Sequence, residues 1–236
     1  EQVDKLMIVS IHQPNFFPWM GFFDKINRSD QFIFLTSSTR SKNDKYLTRT
    51  KVLNNAKSQY LSVPLGVKHK QIPIKQLIMP ADNQWKVKVL NIIKESYRGS
   101  NHFDEVYDNI EELLMCEYEY FSDYSINIIK FLISKFNIDT ELHIDTDFNQ
   151  DFGVSNQRNI ALCKKVGGDI YLSGSGAKVY NDNKLYSENS LELIYQDYVA
   201  PTYVQMSNEF ISGLSIIDVL FNCGFEGAEK LLKQSC

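Results

Sequence analysis

Met7-Ile-Val-Ser-Ile-His-Gln-Pro-Asn-Phe-Phe-Pro-Trp-Met-Gly-Phe-Phe-Asp-Lys-Ile26, followed shortly by Gln31-Phe-Ile-Phe-Leu35, decides the fold. Residues 7–11 are apolar and rich in β-branched side chains, the pattern of a strand buried on both faces. His12-Gln-Pro-Asn15 is turn chemistry. Pro18 suits the first turn of a helix, with Asn15 or a neighbour as its cap. Trp19, Phe22, Phe23 and Ile26 then recur at i, i+3, i+4 and i+7, an amphipathic helical stripe. A second strand at 31–35 closes a strand–helix–strand unit. So short a crossover makes the two strands parallel neighbours.

The same alternation continues outward. Tyr60-Leu-Ser-Val-Pro-Leu65 reads as a strand that Pro64 places near an edge. Residues 66–80, with Pro73 and Pro80, read as an excursion. Helical spacing returns at 85–97 and, in two segments, at 103–136. Thr140–Ile144 reads as a short strand. Ser155 is placed to cap a helix that Gly167-Gly168 ends. Strands at 169–173 and 191–195 follow, then short helices at 214–221, ended by Gly224, and 228–233. The expectation is one α/β domain over 7–236: a mainly parallel sheet flanked by helices, with a helical insertion at about 84–137. Glu1–Leu6 reads as a polar extension.

Composition limits the function classes. The chain has 236 residues, is 43 % hydrophobic and carries a net charge of −4, so it can build its own core. Only five arginines occur (Arg28, Arg40, Arg49, Arg98 and Arg158), too few for a backbone-tracking nucleic-acid binder. Cys116, Cys163, Cys223 and Cys236 have no metal-ligand spacing, and no metal site is expected. Such sparse thiols suit a reducing cytoplasm. The longest uncharged run, Met7–Phe23, is interrupted by polar residues and prolines, so membrane insertion is not expected.

Ligands of open α/β sheets sit at the carboxyl ends of the strands. Two of those ends are polar here. His12 is a general acid–base by type, since an ordinary imidazole titrates near neutrality; the alternative is a histidine that ties the loop to the sheet. Gln13 and Asn15 either orient a substrate or, for Asn15, cap the helix. Ser173-Gly-Ser-Gly176 either cradles an anion with backbone N–H groups or is a tight turn. It matches neither a P-loop nor a GxGxxG or GxSxG motif. Asp218 and Asn222, at i and i+4 in an apolar helix, either reach substrate or tether loops. Arg49 and Arg158, at the starts of elements, either converge on an anion or are solvated. Cys223, at a helix end with no base beside it, reads as an inert thiol. These polar residues are expected to meet in one cleft.

Several stretches together resemble the WbqC-like family. They are Ile8–Phe23 with its His-Gln-Pro-Asn turn, Gly153-Val-Ser155 with Arg158, and Gly168-Asp-Ile-Tyr-Leu-Ser-Gly174 with Ala177 and Tyr180. The last are Pro201-Thr-Tyr-Val-Gln205 with Phe210, and Leu214–Gly224. The likeness spans about residues 7–225. It implies a setting in the biosynthesis of O-antigen and other surface polysaccharides. Family members carry an acidic stretch after the second strand, where this chain has Thr36-Ser-Ser-Thr39.

The function expected from residues and resemblance together is acyl or aminoacyl transfer to the amine of a nucleotide-linked amino sugar. The donor would be a thioester of coenzyme A or of an acyl carrier protein, with no tightly bound cofactor. His12 and Asp218 are the expected catalytic residues. Gln13, Asn15, Trp19, Arg49, Arg158, Ser173, Gly174, Tyr180 and Asn222 are the expected substrate-binding residues. Two other classes compete. One is nucleotidyl transfer, since a histidine after the first strand is loosely similar to HxGH nucleotidylyltransferases, although Asn15 stands in place of the second histidine. The other is a non-catalytic subunit of a biosynthetic complex.

Overall fold

In a computed structural model, residues 5–39, 45–66 and 72–234 are described. Residues 1–4 of the expected extension, Arg40, the rest of the polar loop to residue 44, residues 67–71 of the excursion and Cys236 lie outside them.

Five strands form one parallel sheet: β1 (Ile8–His12), β2 (Gln31–Phe34), β5 (Glu141–Ile144), β6 (Ile170–Ser173) and β7 (Glu192–Tyr195). Their spatial order is β5-β2-β1-β6-β7, every pair parallel. Side-chain alternation assigns the faces. Val9, Ile11, Ile33 and Tyr171 meet α5 (Ser155–Lys165) and α6 (Asn183–Glu188) on one side. Phe32 and Phe34 point the other way, into a larger apolar cluster with α1 (Met20–Asn27) and α7 (Ile216–Gln234). Ser10 lies between two apolar neighbours and is fully buried, so it needs a partner. Ser29 supplies one, its hydroxyl donating to Ser10 Oγ at 2.7 Å.

The helical insertion is α2 (Gln84–Tyr97), α3 (Phe103–Met115) and α4 (Phe121–Lys135). Its apolar stripes join the cluster of α1 and α7, where the Tyr97 and Phe221 rings stack 4.6 Å apart. None of the described helices is long and apolar enough to cross a membrane.

Three local expectations are corrected. The strand expected at 60–65 is β4 (Lys57–Ser62), and it pairs antiparallel with β3 (Arg49–Asn54) in a separate hairpin. Asn55 and Ala56, both at positive φ, make the two-residue turn that such hairpins require. Asn15 does not cap α1, whose N-cap is Trp19 with no side-chain bond. Ser155 does not cap α5 but begins it, after Val154. As expected, Gly224 at φ 70° breaks α7 into two helical stretches, the second of which runs on to Gln234.

Candidate functional site

The five sheet strands, numbered in chain order, are arranged 3-2-1-4-5, so the chain reverses direction across the sheet between β1 and β6. That is where α/β sheets open a crevice at their carboxyl edge. Here the crevice is a cavity of about 410 Å³ between His12 at the end of β1 and the Ser173–Ala177 turn after β6. Trp19, Phe22 and Lys25 of the α1 region line it together with Gln196 and Tyr198, which follow β7 and pack against that region.

His12 is held by its neighbours. Its Nδ1 lies 2.9 Å from the Gln13 carbonyl, and its ring meets Phe22 edge to face. A carbonyl only accepts, so in the neutral ring Nδ1 carries the hydrogen and Nε2 the free lone pair. Burial, then the charge of Lys25, lowers the His12 pKa to about 4 against the pull of the Gln13 bond. The premise of a near-neutral imidazole therefore does not hold. Lys25 is buried and donates from Nζ to the Ile11 carbonyl at 2.8 Å, and burial lowers its pKa to about 8. The Gln196 amide donates to Asp24 Oδ2 and to the Gly21 carbonyl, fixing β7 to α1. Ser173 is buried and its Oγ accepts from Asn181 at 3.0 Å. The Tyr198 hydroxyl is buried with no hydrogen-bond partner among the described residues.

A second cavity, about 290 Å³, adjoins the first. It is lined by Asn15, Phe16, Pro18, Trp19, Tyr46, Arg49, Thr50, Lys51 and Gly213, so Trp19 is the wall common to both. The Arg49 guanidinium lies 4.6 Å above the Tyr60 ring, and Lys51 Nζ is 5.5 Å from the same ring. The cavity thus combines two cations with the aromatic rings of Phe16, Trp19 and Tyr46.

The expected residues consequently separate. The crevice gathers His12, Trp19, Ser173 and Gly174. Asn15 and Arg49 line the adjoining cavity with Trp19. Gln13 turns away and donates to Ser38 Oγ at 2.9 Å. Arg158 lines a third cavity of about 480 Å³, with Lys75, Ser37 and Asp145. Tyr180 is solvent-exposed. The single cleft expected from sequence is not formed, and Asp218 and the half-buried Asn222 of α7 line neither cavity. Asp218 is fully buried and accepts from Tyr97 Oη at 2.8 Å, Tyr203 Oη at 2.7 Å and Gln205 Nε2 at 3.1 Å. Burial pushes its carboxyl up while those three bonds pull it down. Asn222 donates to the Asp218 carbonyl one turn back.

Comparison with known proteins now bears on this arrangement, for a family model described as the WbqC-like protein family matches residues 13–230. The chain belongs to the WbqC-like family. It is also 28 % identical to the uncharacterized protein Rv1507c of Mycobacterium tuberculosis, over 94 % of this chain and 96 % of that one. In this WbqC-like protein the Thr36-Ser-Ser-Thr39 turn is bound to a carboxylate from the neighbouring strand end. Asp145, just past β5, accepts from Thr36 N at 2.7 Å, Thr36 Oγ1 at 2.8 Å and Ser37 N at 3.1 Å.

Sequence reasoning missed Lys25, Gln196 and Tyr198. Lys25 had a signal: it stands three residues after Phe22 and one before Ile26, a charge beside the apolar stripe of α1. Gln196 and Tyr198 lie in a loop, where no periodicity marks them.

Proposed function

We propose that this protein is an enzyme of surface-polysaccharide biosynthesis that transfers an acyl or aminoacyl group from a thioester to the amine of a nucleotide-linked amino sugar. One observation carries the reading: two cavities of different chemistry meet at Trp19, one with a histidine base and one with Arg49 and Lys51. A two-substrate transfer needs that adjacency. Arg49 and Lys51 suit the pyrophosphate, and the aromatic wall suits the nucleoside.

In the crevice the sugar amine attacks the thioester carbonyl, forming the C–N bond. Small residues at 174–176 let backbone N–H groups approach the oxyanion. The nitrogen of the adduct is then cationic and gives its proton to His12 Nε2. As the C–S bond breaks, His12 passes that proton to the departing sulfur. An imidazolium of pKa about 4 is a ready donor to a thiolate.

The test is product formation. The protein is incubated with a panel of acyl and aminoacyl thioesters and nucleotide-linked amino sugars, and N-acylated sugar is sought by mass spectrometry. Arg49→Ala should raise KM for the nucleotide sugar about tenfold or more with kcat little changed. Absence of any acylated product across the panel overturns the proposal.

Nucleotidyl transfer is the second reading, favoured by the 3-2-1-4-5 strand order with His12 at the reversal point. Pyrophosphate release from ATP or CTP with magnesium and a sugar phosphate would select it. A non-catalytic subunit would need neither cavity.

A further inference from the structure

The crevice carries the buried ammonium of Lys25, for which no described residue supplies a counter-ion. Lys25 is 4 % exposed and donates to a carbonyl, not to a carboxylate. Its neighbour Asp24 turns instead to Arg28 and Gln196. Among the described residues lining the crevice there is no Asp, Glu or Arg, and Lys25 is the only lysine. The Tyr198 hydroxyl in the same lining is buried without a partner among the described residues. A buried ammonium without a counter-ion and a buried unpaired hydroxyl are each costly to a fold. Retained together in one cavity, they describe a site built for something absent from the chain itself.

We propose that the β1/β6 crevice binds a compact oxyanion, a carboxylate or a phosphate of the substrate, with Lys25 as counter-ion and Tyr198 as hydrogen-bond donor. This deepens the transfer reading by naming the charge that the substrate brings beside His12. It is tested by ion binding, which does not depend on turnover, so a failed transfer assay and a failed binding assay are separate results.

Sulfate stands in for phosphate and acetate for carboxylate, because neither changes charge between about pH 6.5 and 9.5. The groups facing Lys25 are silent over that range too. His12 on β1 titrates near 4 and Cys163 on α5 near 12, and burial holds Tyr171 on β6 well above its ordinary value. With a Lys25 pKa of about 8, the association constant for a crevice anion should fall roughly thirtyfold from about pH 7 to 9.5. Anions held by Arg49 or Arg158 would show no such fall, since guanidinium stays charged.

Calorimetric titration of the unmodified protein reads this directly. Lys25→Met, which keeps the volume and removes the charge, should lose the pH-dependent site by at least about tenfold while folding normally. If that variant fails to fold, Lys25→Gln and the wild-type pH profile carry the test. Preference for sulfate assigns the phosphate source and preference for acetate the carboxylate source. Binding that is flat with pH, binding unchanged in Lys25→Met, or no saturable binding of either ion overturns the proposal.

Discussion

Trp19 and Tyr198 meet edge to face at the rim shared by the two cavities, their ring centroids 5.2 Å apart and their planes at 78°. The indole also lies across Gly21, so closely that a Cβ on Gly21 would run into its six-membered ring. Gly21 lies in the first turn of α1 and is buried, so the glycine serves the close approach of Trp19.

Gly21→Ala should therefore act through Trp19. Alanine favours the helix by up to about 1 kcal/mol, so stability should hardly suffer while the indole is displaced. Emission from Trp19 should shift against the constant background of buried Trp85, and nucleotide-sugar binding should weaken several-fold. A Trp19→Ala/Gly21→Ala double variant should bind like Trp19→Ala alone. Unchanged emission and binding in Gly21→Ala would show that Trp19 is not the shared wall.

His12 gives stability a defined acid-side dependence. Its folded-state pKa, about 4, lies below the ordinary 6.5, so the unfolded chain takes up the proton first as pH falls. The contribution is complete above pH 6.5 and is lost as pH falls through 4. The ceiling is about 3 kcal/mol, reduced by whatever water in the crevice screens. Urea midpoints measured at about pH 7, 5.5 and 4.5 should converge between wild type and His12→Gln toward the acid end, with a shallower slope in the variant. Equal slopes would mean that the ring is solvated.

What the sequence revealed follows from periodicity. β1, β2, β6 and β7 and the three insertion helices carry apolar repeats of 2 or 3.6, because each buries a face against the sheet or against α7. β3 was unreadable because only Val52 and Leu53 of Arg49-Thr-Lys-Val-Leu-Asn54 are apolar, too few to show a repeat, and the rest of its order comes from its hairpin partner. Likewise α6 is six residues long and held by Asp182, whose carboxylate accepts from the N–H groups of Lys184 and Leu185. For the site, the two turns that form the crevice were legible as polar strand ends. Which residues share a cavity was not, since Asp218 and His12 differ in surroundings that only packing decides.

Asp218 should prove a residue of stability. Its carboxylate anchors Tyr97, Tyr203 and Gln205, and the Tyr97 hydroxyl in turn accepts from Leu53 N at 3.0 Å. The network thus ties the insertion, the hairpin and the 203–211 segment to α7. Asp218→Ala leaves three donors unsatisfied and should cost about 3–5 kcal/mol. Tyr203→Phe removes one donor and should cost about 1 kcal/mol. Urea unfolding checks both. A stable Asp218→Ala protein without activity would return Asp218 to the chemistry.

His12 and Cys223 separate direct transfer from a covalent route. Cys223 immediately precedes the Gly224 kink, and burial, with the nearby Asp218 carboxylate, raises its pKa to about 11. At neutral pH only on the order of one thiol in ten thousand is then the nucleophilic thiolate. An acyl-enzyme at Cys223 would form far too slowly to lie on the path. Cys223→Ala should keep full turnover and lose about 1 kcal/mol of stability from the missing sulfur contacts. His12→Ala should lose about 10²–10⁴ in kcat with the fold intact, because Nε2 is the lone pair that receives the amine proton. Intact-mass measurement after incubation with an acyl thioester decides between the routes. A stable adduct mapped to Cys223, with turnover lost in Cys223→Ala, would replace direct aminolysis by a thioester relay, and full activity in His12→Ala would remove the histidine from either path.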